Sequence, residues 1–287
     1  MARATTSAKK EGAAVRASVR EHYARIAEAP ARGCCSTQPS CGCGATSAQE
    51  LGGLIGYAPE DLAAVPELAN LGLGCGNPVA IASLAKGETV LDLGSGAGID
   101  CFLAAERVGP KGKVIGVDMT PEMLRRARRN AKEGGYRNVV FKRGVIEDLP
   151  LGARSVDVVI SNCVINLSPD KPRVFKEAFR VLRPGGRLMV SDIVLLRRLP
   201  QRLLDDAAAY SACISGAALK GAYLRMIRDA GFERVRVVGQ KDYPVEFLID
   251  DAGAIQVFLE DTGLPVAELK RAGKAIVSVS VVAHKPG

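Results

Sequence analysis

A glycine-rich loop directly after a short apolar segment limits this chain of 287 residues to a small group of folds. Residues 89–93 are predicted to form a buried strand, and Gly94, Gly96 and Gly98 follow it at alternate positions. Glycines at such a turn let the backbone approach a ligand closely, and the N–H groups at the start of the next helix favour anionic or electron-rich groups. The loop therefore predicts an α/β fold with a cofactor at the carboxyl ends of its strands.

Strands and helices alternate along the chain after this loop. The pattern predicts strands over residues 89–93, 113–117, 139–143, 156–161 and 187–192, separated by helices over residues 99–108, 121–133 and 171–182. Strands that alternate with helices at this spacing form a parallel, doubly wound sheet. We expect residues 233–238 and 275–284 to complete a mostly parallel, seven-stranded, Rossmann-like sheet as its antiparallel edge.

The chain divides into three parts by composition. Residues 1–50 are predicted to hold one helix, over residues 15–28, and a cysteine-rich arm. Residues 51–193 form the cofactor-binding core, and residues 194–287 add C-terminal helices and the last strands. Together the two additions are expected to build the substrate side of the site.

Charge and composition argue against nucleic-acid and membrane partners. The net charge is +8, and its densest basic run, residues 125–129, lies within a predicted helix, where a solvated face is expected. The chain has no Trp and few aromatic residues, so stacking platforms for bases are poorly supplied. An apolar run of about 20 residues and a signal-peptide core are both absent from the sequence, which predicts a cytoplasmic protein.

Eight cysteines in such a chain indicate thiols that are kept reduced and used for chemistry or ligation. Cys163 directly follows the fourth predicted strand, where ligands of open α/β sheets bind. Cys75 lies in a glycine-rich loop before the first of these strands, and Cys213 lies beyond the fifth strand. For each of the three, the alternative is a small buried hydrophobe, and Cys101, on an apolar helix, is assigned to that alternative.

The cofactor is predicted from the spacing of the glycines and from an acidic residue after the second strand. The G-x-G-x-G spacing, with Asp92 two residues earlier, resembles the first motif of S-adenosylmethionine-dependent methyltransferases and differs from the G-x-G-x-x-G of NAD-linked enzymes. Asp118 is placed to accept both ribose hydroxyls, and Glu147 to accept the adenine amino group. The predicted cofactor contacts are Asp92, Gly94, Ser95, Gly96, Gly98, Asp118, Met119, Ile146, Glu147 and Asn162.

Four segments together resemble the arsenite methyltransferases. They are residues 70–78 (NLGLGCGNP), 91–101 (LDLGSGAGIDC), 116–123 (GVDMTPEM) and 161–167 (SNCVINL), and the similarity extends over residues 56–231. The resemblance implies a class I methyltransferase fold, and we expect the chain to be a monomer. It also implies that S-adenosylmethionine is the cofactor, without a metal cofactor, and that arsenite or its thiol conjugates are the substrate.

The resemblance further implies roles for individual cysteines. Arsenite would be bound by thiols at Cys75, Cys163 and Cys213. A more N-terminal cysteine, Cys34 or Cys35, would close a disulfide with Cys75 that thioredoxin or glutathione reopens. Cys41 and Cys43 lie close by and leave the choice of that cysteine open.

The chemistry of trivalent arsenic agrees with this resemblance. Arsenic is soft and prefers thiolate donors, by the same argument that applies to soft metals. It keeps a lone pair that can attack the methyl carbon of a sulfonium, so a general base is not required. This agrees with a sequence whose only histidines, His22 and His284, lie near the chain ends.

Three alternatives remain open from the sequence. A methyltransferase for a carbon or oxygen nucleophile, such as a quinone or sterol, would share the cofactor site but would not need the thiols. A non-enzymatic arsenite-binding protein would leave the cofactor loop unexplained. A zinc site at residues 34–43 is the third, and the spacing of its cysteines lacks the usual C-x₂₋₄-C pairs.

Overall fold

The computed structural model describes residues 2–28, 48, 52–53, 56–199, 216–242 and 273–287. The helices are α1 (Ala2–Glu28), α2 (Pro59–Ala63), α3 (Pro78–Ile81), α4 (Ile99–Val108), α5 (Pro121–Glu133), α6 (Lys171–Val181) and α7 (Lys220–Asp229). The strands are β1 (Thr89–Leu93), β2 (Lys113–Asp118), β3 (Val139–Arg143), β4 (Val156–Asn162), β5 (Leu182–Leu195), β6 (Glu233–Asp242) and β7 (Ile276–His284). Within these ranges, no helix has both the length and the apolar character needed to cross a bilayer.

The seven strands form one sheet in the order β3-β2-β1-β4-β5-β7-β6. β1 to β5 run parallel, while β7 runs antiparallel to both of its neighbours, β5 and β6. The prediction of a doubly wound, mostly parallel, seven-stranded sheet is confirmed. β1 lies between β2 and β4, so the strand order reverses beside it, and a crevice for a ligand is expected at its carboxyl end.

Helices cover both faces of the sheet and bury its strands on both sides. On β1, Val90 belongs to the layer that contains Phe102 of α4, whereas Leu91 belongs to the layer that contains Phe175 of α6 and Tyr223 of α7. Successive side chains of a strand point to opposite faces, so both faces are apolar here. This explains why the central strands read as continuous apolar runs rather than alternating ones.

The fifth strand is longer than the sequence indicates. It was expected over residues 187–192, and the structure extends it over Leu182–Leu195. The extension at its carboxyl end is held by antiparallel pairing with β7, which continues to the pair Leu195 and Ile276. Such long-range pairing has no local sequence signal. The expectation that residues 194–232 are mainly helical is therefore wrong at its start, and the helix described in that region is α7.

Helix α1 is anchored on the core by one buried arginine of α5. The Nε atom of Arg126 donates to the carbonyl oxygen of Leu68 at 3.1 Å, and an Nη atom donates to that of Ala27 at 3.3 Å. Arg126 is only 6% exposed, although it belongs to the basic run that was expected to form a solvated face. That expectation is wrong at this position because two carbonyl groups compensate the burial of the guanidinium group.

Replacing Arg126 with alanine should lower the free energy of unfolding by about 1–3 kcal/mol, because two carbonyl oxygens lose a charged donor. Urea unfolding followed by circular dichroism measures this loss. The matched control is Arg129→Ala on the same helix, since Arg129 is exposed, and it should change stability by less than about 0.5 kcal/mol. Equal effects of the two substitutions would show that Arg126 does not anchor α1.

Candidate active site

The glycine loop between β1 and α4 has the backbone that its sequence predicts. Gly94, Gly96 and Gly98 all have positive φ angles, of 66°, 51° and 100°. A Cβ atom on Gly94 would lie 2.3 Å from a methyl group of Val164, so a side chain does not fit there. The loop therefore packs closely under the segment after β4 and exposes its backbone at the carboxyl edge of the sheet.

Asp118 closes this loop from the neighbouring strand. One of its carboxylate oxygens accepts the N–H group of Gly96 at 3.0 Å, and the other accepts that of Thr120 at 2.7 Å. Burial raises the pKa of Asp118, and these backbone hydrogen bonds oppose that shift. Each oxygen has a second lone pair, so the carboxylate is able to accept a ligand hydroxyl as well.

A pocket opens between the glycine loop and helix α1, with about 770 Å³ of space including its open mouth. Seven of the ten predicted cofactor contacts line it: Gly94, Gly96, Asp118, Met119, Ile146, Glu147 and Asn162. The other three, Asp92, Ser95 and Gly98, lie outside the lining.

Helix α1 forms one wall of this pocket, which the sequence did not indicate. Val19 and Tyr23 line the pocket from that helix, and Arg16 lies 3.6 Å from a carboxylate oxygen of Glu147. The same oxygen accepts the hydroxyl group of Ser168 at 2.7 Å. Glu147, expected to meet an adenine amino group, is thus already bound to the helix that covers it. Only the fold brings α1 here, because its sequence carries no cofactor motif.

Two buried carboxylates lie beneath the loop. Asp92 accepts the thiol of Cys101 at 3.2 Å, and Asp100 accepts the hydroxyl group of Tyr57 at 2.8 Å. Burial, and then the negative charge of Asp100, raises the pKa of Asp92 well above its usual range. Burial also raises the pKa of Asp100 to about 6, against the hydrogen bonds from Tyr57 and Asn162. Cys101 is buried in the core as predicted, and it also supports the motif residue Asp92.

The structure brings Cys75 and Cys163 together at the carboxyl edge of the sheet. Their sulfur atoms and a carboxylate oxygen of Asp192 all lie within 4.8 Å of one another. Cys163 has a φ angle of 59°, unusual for a residue other than glycine, and its N–H group donates to the carbonyl oxygen of Ser191 at 2.9 Å. Such backbone strain persists where the surrounding structure fixes it, often at functional sites.

The other predicted cysteines lie outside the described residues. Cys213, the third expected thiol, falls in the interval between residues 199 and 216, and Cys34, Cys35, Cys41 and Cys43 fall between residues 28 and 48. Their parts in the site stay predictions.

Asp192 is a site residue that the sequence analysis missed. Its carboxylate accepts the hydroxyl group of Tyr223 at 2.9 Å and the amide of Asn166 at 2.8 Å, and burial raises its pKa to about 7. The available signal was its position as the last residue of the predicted fifth strand.

The side chain of Asn162 is fully engaged in joining the two parts of the site. Its amide group donates to the hydroxyl oxygen of Tyr57 and to the carbonyl oxygen of Gly76, both at 2.8 Å, and to Asp100 at 3.1 Å. Its carbonyl oxygen accepts the N–H group of Cys75 at 3.0 Å. Asn162 was expected to contact the cofactor, and although it lines the pocket, its hydrogen bonds position the Cys75 loop.

Fold and site together define a class of enzyme. A sheet of this order, a glycine loop after β1, and a carboxylate at the end of β2 fit S-adenosylmethionine, because the pocket offers exposed loop backbone on one side and the Asp118 carboxylate on another. Residues 84–231 match the family model of the methyltransferase domain. The chain is an S-adenosylmethionine-dependent methyltransferase.

Comparison with individual proteins identifies the family within the methyltransferases to which this chain belongs. The chain is 44% identical to the arsenite methyltransferase of Halobacterium salinarum in an alignment of 289 positions that covers 98% of this chain and 69% of that protein. It is 44% identical to the arsenite methyltransferase of Aquipseudomonas alcaligenes over 187 residues, 63% of this chain and 53% of that one. The crystal structure of an arsenic(III) S-adenosylmethionine methyltransferase from Chlamydomonas reinhardtii is 34% identical, with a TM-score of 0.60, and the match covers 83% of this chain and 73% of that one. The chain belongs to the arsenite methyltransferase family.

Asp192 makes the stability of the fold depend on pH. Its pKa is about 7 in the folded chain against an ordinary 3.8, so the folded state binds this proton more strongly than the unfolded state. Its contribution to the free energy of unfolding therefore falls as pH rises between about 4 and about 7, by up to about 1.36 kcal/mol per pH unit. Asp192→Asn removes this dependence. Urea titrations should show the variant gaining stability relative to the unchanged chain as pH rises from about 5 to about 8, and a constant difference would contradict the shifted pKa.

Asn162→Asp should lower the free energy of unfolding by about 1–3 kcal/mol, because a carboxylate oxygen replaces the amide donor and faces the Gly76 carbonyl oxygen and Asp100. Chemical unfolding measures the loss, and the rate at which a thiol reagent modifies Cys75 should rise. Asn70→Asp is the control: the Asn70 amide makes one such bond, to Ala48 at 2.7 Å, and its oxygen likewise accepts a backbone N–H group. If Asn162→Asp costs no more than the control, Asn162 does not position the loop.

Proposed function

We propose that this chain transfers methyl groups from S-adenosylmethionine to trivalent arsenic held by cysteine thiolates, giving methylated arsenicals as a form of arsenic detoxification. The observation that carries the proposal is the position of Cys75 and Cys163. These residues are 88 apart in the sequence, yet their sulfur atoms lie within 4.8 Å at the edge where the cofactor pocket opens.

Thiolates suit trivalent arsenic because both are soft. A thiol of ordinary pKa, about 8.5, is mostly protonated near neutral pH, and ligation displaces its proton. Two preorganised sulfur atoms lower the entropy cost of ligation, since they need little ordering when arsenic arrives. The third thiol of the proposed site is Cys213.

Cys163 links the arsenic to the cofactor. It lines the same pocket as Gly94, Gly96 and Asp118, so arsenic on its sulfur would face the bound cofactor. When bound, S-adenosylmethionine supplies an electrophilic methyl group on a sulfonium sulfur. The arsenic lone pair forms the new As–C bond as the C–S bond breaks, so arsenic is formally oxidised by two electrons and a proton need not be removed by a base.

The remaining residues hold and shield the reactants. Asp118 and Glu147 would bind the polar groups of the cofactor, while Met119, Ile146, Gly94 and Gly96 would form the surfaces around it. Val19 and Tyr23 of α1 line the pocket and would shield the sulfonium from water on that side. Catalysis then consists largely of alignment, which can supply effective molarities on the order of 10⁵–10⁸ M.

The oxidised arsenic needs two electrons before a further methylation. In the proposal they come from a cysteine pair that closes to a disulfide, Cys75 with Cys34 or Cys35, and a thiol donor such as thioredoxin or glutathione reopens it. Such a cycle requires a reducing compartment, so we place the protein in the cytoplasm. Cys75 and Cys163 come from the same chain, and a monomer is therefore sufficient for this part of the site.

Cys163→Ser should abolish arsenic methylation, because a hydroxyl group is a hard donor that does not hold trivalent arsenic. The assay incubates the protein with arsenite, S-adenosylmethionine and a thiol and separates mono-, di- and trimethylated arsenic. Cys101→Ser is the matched control for arsenite binding, since Cys101 is a buried cysteine beside Asp92, and it should bind arsenite as the unchanged chain does.

Two results would contradict the proposal. An unchanged chain that forms none of the three methylated products is not an arsenic methyltransferase. A Cys163→Ser variant that keeps full turnover would favour a carbon or oxygen nucleophile at the same cofactor site.

A further inference from the structure

The thiol pair has a third neighbour whose chemistry differs from its own. Cys75, Cys163 and Asp192 are 3%, 6% and 0% exposed, and one donor atom from each lies within 4.8 Å of the other two. An arsenic site needs sulfur alone, and a carboxylate oxygen is a poor ligand for a soft element. The oxygen therefore calls for a separate explanation. Two sulfur atoms and one oxygen form a donor set that suits a borderline divalent cation.

The carboxylate of Asp192 is supported in the way that metal-ligating carboxylates are. The hydroxyl group of Tyr223 donates to one of its oxygens at 2.9 Å, and the amide of Asn166 donates to the other at 2.8 Å. The backbone N–H group of Ile193 adds a third hydrogen bond, at 3.0 Å. Outer hydrogen bonds of this kind fix the orientation of a ligand and raise the affinity of a metal site.

The two cysteines are also held by their backbones. The N–H group of Cys75 donates to Asn162, and its carbonyl oxygen accepts the hydroxyl group of Ser278. The carbonyl oxygen of Ser191 accepts the N–H group of Cys163 at 2.9 Å and lies 3.4 Å from the sulfur of Cys75. The backbones that carry the two sulfur atoms, and the Asp192 carboxylate, are thus held by tertiary contacts before any ligand binds.

We propose that Cys75, Cys163 and Asp192 bind Zn²⁺ in the position that arsenite would otherwise occupy. Zn²⁺ forms bonds of about 2.3 Å to sulfur and about 2.0–2.2 Å to carboxylate oxygen, so the donors of a tetrahedral site are about 3.5–3.8 Å apart. The donor atoms lie within 4.8 Å of one another, so the contraction needed is at most about 1.3 Å, which side-chain rotation supplies. Three protein donors leave the fourth position for solvent or another ligand, as in open zinc sites.

The site predicts a specific pattern of inhibition. Zn²⁺ on the two sulfur atoms excludes arsenite, so it competes with arsenite and does not compete with S-adenosylmethionine, whose polar groups would meet Asp118 and Glu147. This inhibition depends on the proposed function, but the binding of Zn²⁺ does not. Zn²⁺ binding is measured without arsenite or cofactor, so the two proposals fail separately.

The experiment uses the full chain, reduced and metal-free, with Cys34, Cys35, Cys41, Cys43 and Cys213 replaced by serine so that they add no sulfur. Calorimetric titration with Zn²⁺ should give one site per chain. X-ray absorption of the zinc-loaded protein should give two sulfur and two oxygen or nitrogen donors. Asp192→Asn should weaken Zn²⁺ binding about 10-fold or more and change arsenite binding by less than about 3-fold, since the sulfur donors remain.

Three variants separate a zinc ligand from a structural residue. Cys163→Ser should lose both Zn²⁺ and arsenite. Tyr223→Phe keeps the Asp192 carboxylate and removes one of its hydrogen bonds, so it should weaken Zn²⁺ binding by less than Asp192→Asn does. If Asp192→Asn does not fold, Tyr223→Phe replaces it as the test.

The proposal is overturned if the chain does not bind Zn²⁺, or if the absorption spectrum shows three or four sulfur donors. It is also overturned if Asp192→Asn, or Tyr223→Phe in its place, binds Zn²⁺ as tightly as the unsubstituted protein.

Discussion

The side chain of Asn162 is the contact that holds the two parts of the active site in one arrangement. Through its amide group it binds Tyr57 and Asp100 below the cofactor loop, and through its oxygen it binds the backbone of Cys75. The planar amide of Asn162 makes hydrogen bonds through both its nitrogen and its oxygen. Because hydrogen bonds are directional, they fix the distance between the Cys75 thiol and the cofactor loop more firmly than apolar packing, in which side chains can shift. The hydrogen bonds of Asn162 therefore hold the Cys75 thiol in line with the cofactor loop, as methyl transfer requires.

The buried acids around this contact are costly to the fold and are arranged for the site. Asp92, Asp100 and Asp192 are almost fully buried, and burial raises the pKa of each. Each is nevertheless hydrogen-bonded, to Cys101, to Tyr57 and to Tyr223. Buried acids that cost stability but remain hydrogen-bonded are common at functional sites, because they are needed for the chemistry of the site and not for the packing of the core.

Some elements were predictable because their signals are local. The bounds of β1, β3, α4 and α5 match the prediction residue for residue, since each element begins and ends at glycine, proline or a change of hydrophobic period. The length of β5 and the place of β7 between β5 and β6 were not predictable, because pairing between distant segments leaves no mark in either segment. The burial of Arg126 was not predictable for the same reason: its carbonyl partners are 58 and 99 residues away.

The sequence by itself determined the doubly wound sheet and the glycine loop with Asp118, because residue type and spacing encode strands, helices and turns. It also identified the cysteines as candidate ligands, because the donor chemistry of a thiol follows from residue type. Only the tertiary structure decided that Asp192 stands beside Cys75 and Cys163, and that α1 lines the pocket. The physical reason is that these contacts join residues brought together by the sheet order and by packing. A chain whose elements are known still has many ways to place its loops, until long-range hydrogen bonds such as those of Asn162 select one.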